Sequence, residues 1–132
     1  MTKQEAFDRI ITHLAKQKVK SQNSIGQCLY RGPNERKCAI GVLLSDELAT
    51  SFDSKEGAFI SGFWDRAKGE LALSDASEHD SQKFYIRMQD AHDTTDSAEQ
   101  IQTRLRTVAA NYYLDPSLIT TITKWAYPKP RP

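Results

Sequence analysis

Cysteine is scarce in this chain, with two in 132 residues. Two thiols cannot supply the four-ligand frame of a structural zinc site, and no zinc-type Cys/His spacing accompanies them, so no metal is expected. No apolar run approaches the ~20 residues that a membrane-spanning helix needs, which excludes a membrane partner. Neither sign of charge prevails: 18 basic and 17 acidic side chains leave a net +1. That balance argues against a dedicated nucleic-acid binder. Glycine and proline are modest, at six and five, and no tract is of low complexity, which excludes a fibrous or disordered chain. There is no Walker motif, no glycine-rich dinucleotide loop and no His-Glu-x-x-His, so no cofactor is expected. The first residues, Met1-Thr2-Lys3-Gln4-Glu5, are polar and helix-like rather than a signal peptide. A cytoplasmic protein with two reduced thiols is the expectation.

What is present is organised around residues 27–44. Cys28-Leu29-Tyr30-Arg31 is a short extended run, and Gly32-Pro33-Asn34 is turn chemistry. The chain returns through Arg36-Lys37 into an apolar run from Cys38 to Leu44. This predicts a hairpin whose second arm passes into a buried helix. The two cysteines bracketing the turn are open to four readings: small buried hydrophobes, a cross-strand disulfide, part of a metal site, or a catalytic thiolate. Cys38 beside Lys37 at a helix start suits the last, because that field lowers a thiol pKa. Burial is the commonest fate of a free cysteine.

Cys28-Leu29-Tyr30-Arg31-Gly32-Pro33, followed by Lys37-Cys38-Ala39-Ile40-Gly41 and an aliphatic pair, resembles a family of small uncharacterised proteins of bacteria and their phages. Met88-Gln89-Asp90-Ala91-His92-Asp93 is similar to that family's second marker, which ends in His-Asp. The turn residues Asn34-Glu35-Arg36 depart from the Asp-Gly expected there. The resemblance covers about a quarter of the chain. It implies a shared fold and a phage or mobile-element setting, with no activity to carry over.

Elsewhere the period is helical. Thr2 and Glu5 form a capping-box pattern ahead of Phe7, Ile10, Ile11 and Leu14. Lys16, Lys18 and Lys20 follow, where cations suit a helix C-terminus. Phe59, Ile60, Phe63, Trp64 and Ala67 share a face, with Gly57 and Gly62 weakening it. Phe84, Tyr85, Met88 and Ala91 share another, with His92 at its edge. Ile101, Leu105, Val108, Ala109 and Tyr112 mark the clearest helix, and Leu118, Ile119, Ile122 and Trp125 a final face beyond Asp115-Pro116. The expected fold is α+β, mostly α, with about five helices around one small β-hairpin. The helices fall near 3–17, 38–49, 55–68, 81–92 and 97–126, the last broken at Asp115-Pro116. One globular domain spans 1–127, with a Pro-rich basic tail at 128–132.

Three functions compete. The preferred one is a small non-enzymatic protein-interaction module acting on a host protein. Charge is segregated to suit it: net +3 over residues 1–49, −5 over 71–99 and +4 over 100–132. An alternative is a cysteine hydrolase or transferase, with Cys38 as nucleophile, His92 as base and Asp93 beside it. Adjacent helical side chains diverge, so Asp90 or Asp46 would orient His92 better. The second alternative is weak nucleic-acid binding through the basic hairpin. Binding residues on these readings are Tyr30, Arg31, Arg36 and Lys37 on the hairpin, with Lys129 and Arg131 on the tail.

Overall fold

A computed structural model describes residues 1–53 and 62–128. The described residues form five α-helices: α1 (Lys3–Gln17), α2 (Asp46–Asp53), α3 (Phe63–Leu71), α4 (Glu78–Asp93) and α5 (Ala98–Tyr112). Single 3₁₀ turns lie at Pro33–Glu35, Gly41–Leu43 and Ile119–Thr121. Among them no helix is long and apolar enough to cross a membrane.

Helix α1 starts as its sequence requires, with Thr2 and Glu5 closing a reciprocal capping box. Its buried stripe of Phe7, Ile10, Ile11 and Leu14 packs on the Gly41–Leu43 turn and on the turn at Ile119–Thr121. Helices α4 and α5 pack together and bury Phe84, Met88, Ile101 and Leu105. Tyr30, Phe52 and Phe63 form an aromatic cluster, with the Phe52 and Phe63 ring centroids 4.6 Å apart.

The expected hairpin is absent, which makes the fold all-helical rather than α+β. Among the described residues there is no strand, only isolated bridges: Gln22 with Cys28, Arg31 with Lys37, and Val19 with Ala126. The cause lies in where the amides go. Asn34 and Glu35 are both left-handed, at φ 60° and 63°, and this tight turn brings the Gly32 amide to the Arg36 carbonyl at 2.7 Å. Beyond it a ladder never starts, because helix side chains take the donors. Tyr30 and Arg31 give their N–H groups to the two oxygens of Asp53, at 2.9 and 2.8 Å. Lys37 gives its own to Gln17, and Ile40 to Gln89.

The expected helix over 38–49 is also corrected. Cys38 to Ile40 is an irregular turn, only Gly41–Leu43 is a 3₁₀ turn, and α2 begins at Asp46, with the Ser45 hydroxyl accepting the Leu48 amide. The run is buried all the same, with Cys38, Ala39 and Ile40 at 1% exposure or less. Gly41 explains the tightness: a Cβ there would lie 2.5 Å from the Tyr30 carbonyl oxygen. The helix expected over 97–126 ends at Tyr112. Tyr113 is left-handed, and beyond Pro116 only the three-residue turn forms. The β-branched series Ile119-Thr120-Thr121-Ile122-Thr123 resists a helix. Helix α3 covers only the end of the 55–68 expectation; Gly57, Phe59 and Ile60 lie outside the described residues, as do Lys129, Arg131 and most of the basic tail.

Candidate functional site

The C-terminus of α4 gathers the chain's reactive-looking groups. Helix ends leave their last carbonyls without internal partners. Here Thr94 Oγ1 donates to the Asp90 carbonyl at 2.8 Å, and Thr95 Oγ1 donates to that of Ala91. The Asp93 carbonyl accepts from Lys20 Nζ at 2.7 Å. Lys20 therefore does cap a helix C-terminus, but that of α4 rather than of α1. Its side chain is fully buried, and the Tyr127 ring lies over its ammonium, 4.2 Å away.

His92 is 0% exposed and packs edge-on to Trp125, with ring centroids 5.3 Å apart. Its Nε2 accepts the Ser21 amide at 3.1 Å. An amide can only donate, so Nε2 carries no proton and Nδ1 does. That Nδ1–H donates to Asp93 Oδ1 at 2.8 Å. The same oxygen accepts from Gln89 Nε2 at 2.8 Å. The sequence argument that Asp93 points away from His92 is thus corrected. Asp93 is the last residue of α4, and the bond closes where the helix gives way to Thr94.

The cysteine at this cluster is Cys28. Its Sγ, a His92 nitrogen and an Asp93 oxygen all lie within 4.8 Å of one another. Cys38, the expected nucleophile, is not among them; it is sealed in the core, where its Sγ accepts the Gly41 amide at 3.3 Å. Both cysteines are free thiols.

The electrostatics follow from burial. Desolvation pushes the Cys28 thiol up to about 12, helped by its hydrogen bond to Asp93 and by that carboxylate's charge. Desolvation drives Cys38 higher still, against the weak opposition of the Gly41 amide. His92 is lowered by its burial, which outweighs the attraction of Asp93. Lys20 is lowered by burial too, against Cys28, Asp93 and Asp96. Burial alone would raise Asp93, but hydrogen bonds from His92, Cys28 and Gln89 hold it below the usual carboxylate range.

This arrangement is a poor catalyst. A base needs a free lone pair, and that of His92 is given to a backbone amide. The thiol is neutral at pH 7. The trio does not suit a metal either. Ligation through Nδ1 would move the ring proton to Nε2, where it would face the Ser21 N–H donor head-on.

The expected binding residues divide. Tyr30 is 2% exposed and stacks on Phe63 at 5.7 Å, so it offers no ring to a ligand. Arg31 is spent inward: it donates to the carbonyls of Gly41 at 2.6 Å and Leu44 at 2.7 Å, and pairs with Asp46 at 2.8 Å. Lys37 is half-buried, its carbonyl accepting from His13 and Gln17. Arg36 alone of the four lines an open groove, with Val19, Pro33 and Tyr127. Sequence reasoning missed Cys28, Lys20 and Ser21 as members of the α4 cluster. No local pattern marks them, because the segment that carries them is neither helix nor strand. The chain matches no family model, no curated protein and no solved structure.

Proposed function

We propose that this chain is a small non-enzymatic interaction module that binds a protein of its host, in the cytoplasm. One observation carries the reading: the His92 lone pair is committed to the Ser21 amide. With it, the only His-thiol-carboxylate cluster among the described residues becomes a clasp between α4 and the 18–22 segment. The nucleic-acid alternative loses Tyr30 to the core and Arg31 to its own backbone carbonyls. The motif resemblance supports a bacterial or phage setting for the partner.

The test is alkylation of the native protein at pH 7, read by mass spectrometry. Cys28 is expected to react more slowly than a free thiol, and Cys38 not at all until the chain is unfolded, when two labels add without reductant. Rapid labelling of either cysteine in the native state, accelerated by an intact His92, would overturn the reading in favour of a thiolate enzyme.

A further inference from the structure

We infer that the groove between residues 19–26, the turn at 33–36 and the run 126–128 is the docking surface of the module, and that its occupant is an extended acidic peptide segment of the partner. The inference rests on the interaction reading above and specifies its ligand. The groove holds about 820 Å³, within the ~300–1,000 Å³ usual for ligand clefts. The parallel bridge between Val19 and Ala126 builds it, by joining the basic N-terminal part of the chain to its basic C-terminal part. Its apolar lining comes from Val19, Pro33, Ala126, Tyr127 and Pro128. Tyr127 is 52% exposed, and Ile25, between the lining residues Ser24 and Gly26, is 76% exposed. Large apolar side chains left this open at one place mark an interaction surface.

Charge selects the occupant. Among the described residues none of the lining is acidic, Arg36 lines the groove, and exposed Lys18 precedes Val19. Beneath the Tyr127 ring, outside the lining itself, the buried Lys20 ammonium lies 4.2 Å from the ring centre and holds the aromatic side chain over the end of α4. Tyrosine and arginine are the residue types that anchor protein interfaces, and a positive cleft favours a ligand of opposite sign. A nucleic-acid strand fits less well. It needs a row of cations along its phosphates and several stacking rings. Among the described residues the groove lining has one cation, Arg36, and one ring, Tyr127. An acidic segment with alternating apolar side chains meets both features at once: apolar groups on Val19, Pro33 and Tyr127, carboxylates toward Arg36 and Lys18.

The test is fluorescence anisotropy with three labelled probes: an octapeptide alternating Glu and Leu, one alternating Lys and Leu, and a dodecamer of thymidylate. The acidic peptide is expected to bind at least about tenfold tighter than the basic one, and more weakly as salt rises. Tyr127→Ala and Arg36→Glu should each weaken it several-fold. Arg36→Glu changes a rim side chain, so its melting temperature should match the parent's and separate lost binding from lost fold. Equal binding of the two peptides, tighter binding of the thymidylate strand, or indifference to Arg36→Glu would overturn the inference. Equal binding of the two peptides or indifference to Arg36→Glu leaves the interaction reading standing. Tighter binding of the thymidylate strand counts against it as well, in favour of the nucleic-acid alternative, and rapid labelling of a native cysteine overturns it in favour of an enzyme.

Discussion

Replacing His92 by leucine tests whether the α4 cluster is a clasp. The change keeps an apolar body beside Trp125 and removes both ring nitrogens. Two interactions are lost. The Ser21 amide, whose residue is 0% exposed, is left without its acceptor, at about 1–3 kcal/mol. Asp93 loses a charge-assisted hydrogen bond, worth about 1.5–3 kcal/mol. Gln89 still reaches that carboxylate, which offsets part of the second loss. Together about 2–5 kcal/mol should disappear, a large share of a small domain's ~5–15 kcal/mol. Urea unfolding followed by the fluorescence of Trp64 and Trp125 together measures it. The pH dependence supplies the signature. The unfolded imidazole takes its proton near 6.5, the folded one only at lower pH. Below 6.5 the unfolded state therefore binds more protons, and parent stability falls as pH drops from there toward the folded value. The loss is bounded at about 1.4 kcal/mol per pH unit for this one group. His13 is lowered as well, so the parent carries two contributions in the same window. His92→Leu should remove one of them and His13→Gln the other. A leucine variant as stable as the parent at pH 7.5, or one that keeps the full slope between pH 6.5 and 5, would refute the clasp.

Three further outcomes follow from the core. Gly41→Ala should cost about 2 kcal/mol or more, because its Cβ would meet the Tyr30 carbonyl at 2.5 Å and backbone cannot swing aside; a thermal melt reads it. Arg31→Ala should destabilise by about 2–4 kcal/mol, and Arg31→Lys should restore little, since one ammonium cannot span carbonyls at Tyr30, Gly41 and Leu44 together with Asp46; recovery of parental stability with lysine would refute this. Asp53→Asn should lose about 1–3 kcal/mol in urea unfolding, because its amide would turn two donors toward an N–H of Tyr30 or Arg31 that now has a carboxylate oxygen.

Where the chain follows a period, its sequence could be read. The capping box of Thr2 and Glu5, the stripe of α1 and the faces of α4 and α5 all depend on neighbours within four residues. The hairpin failed for a reason that periodicity cannot carry. Cys28 to Arg31 has the composition of a strand, but a strand forms only if its amides find a partner strand. Asp53, 22 residues from Arg31, was the better acceptor. The site failed in the same way. His92 and Asp93 could each be picked from the sequence but not their bond, which helix geometry argued against, and the choice of cysteine depended on which arm of the turn lies beside α4. Local charge favoured Cys38; the fold put Cys28 there.

One rule joins these failures. The segment from Lys18 to Ser45 has no ladder and only two isolated 3₁₀ turns, yet much of it is buried, so its backbone polar groups must be answered by something. Polar side chains standing on helices answer them. Gln17 takes the Lys37 amide, Glu70 that of Ser45, Asp53 those of Tyr30 and Arg31, Gln89 that of Ile40, and His92 that of Ser21. His92 is one of this set, and it resembles a catalytic base only because imidazole is the residue chemistry uses most. The rule also explains why Gln89, on the apolar face of α4, is buried at 1% exposure: its amide group bridges the Ile40 amide and the Asp93 carboxylate. Gln89→Leu should therefore destabilise as a polar-network loss, by about 2–4 kcal/mol, although it replaces a buried amide with an apolar side chain of similar size. Urea unfolding of that variant decides between the two views of α4. A more stable protein would mean that the amides of the 18–45 segment find other partners, and that the helix side chains merely accompany the fold instead of holding it.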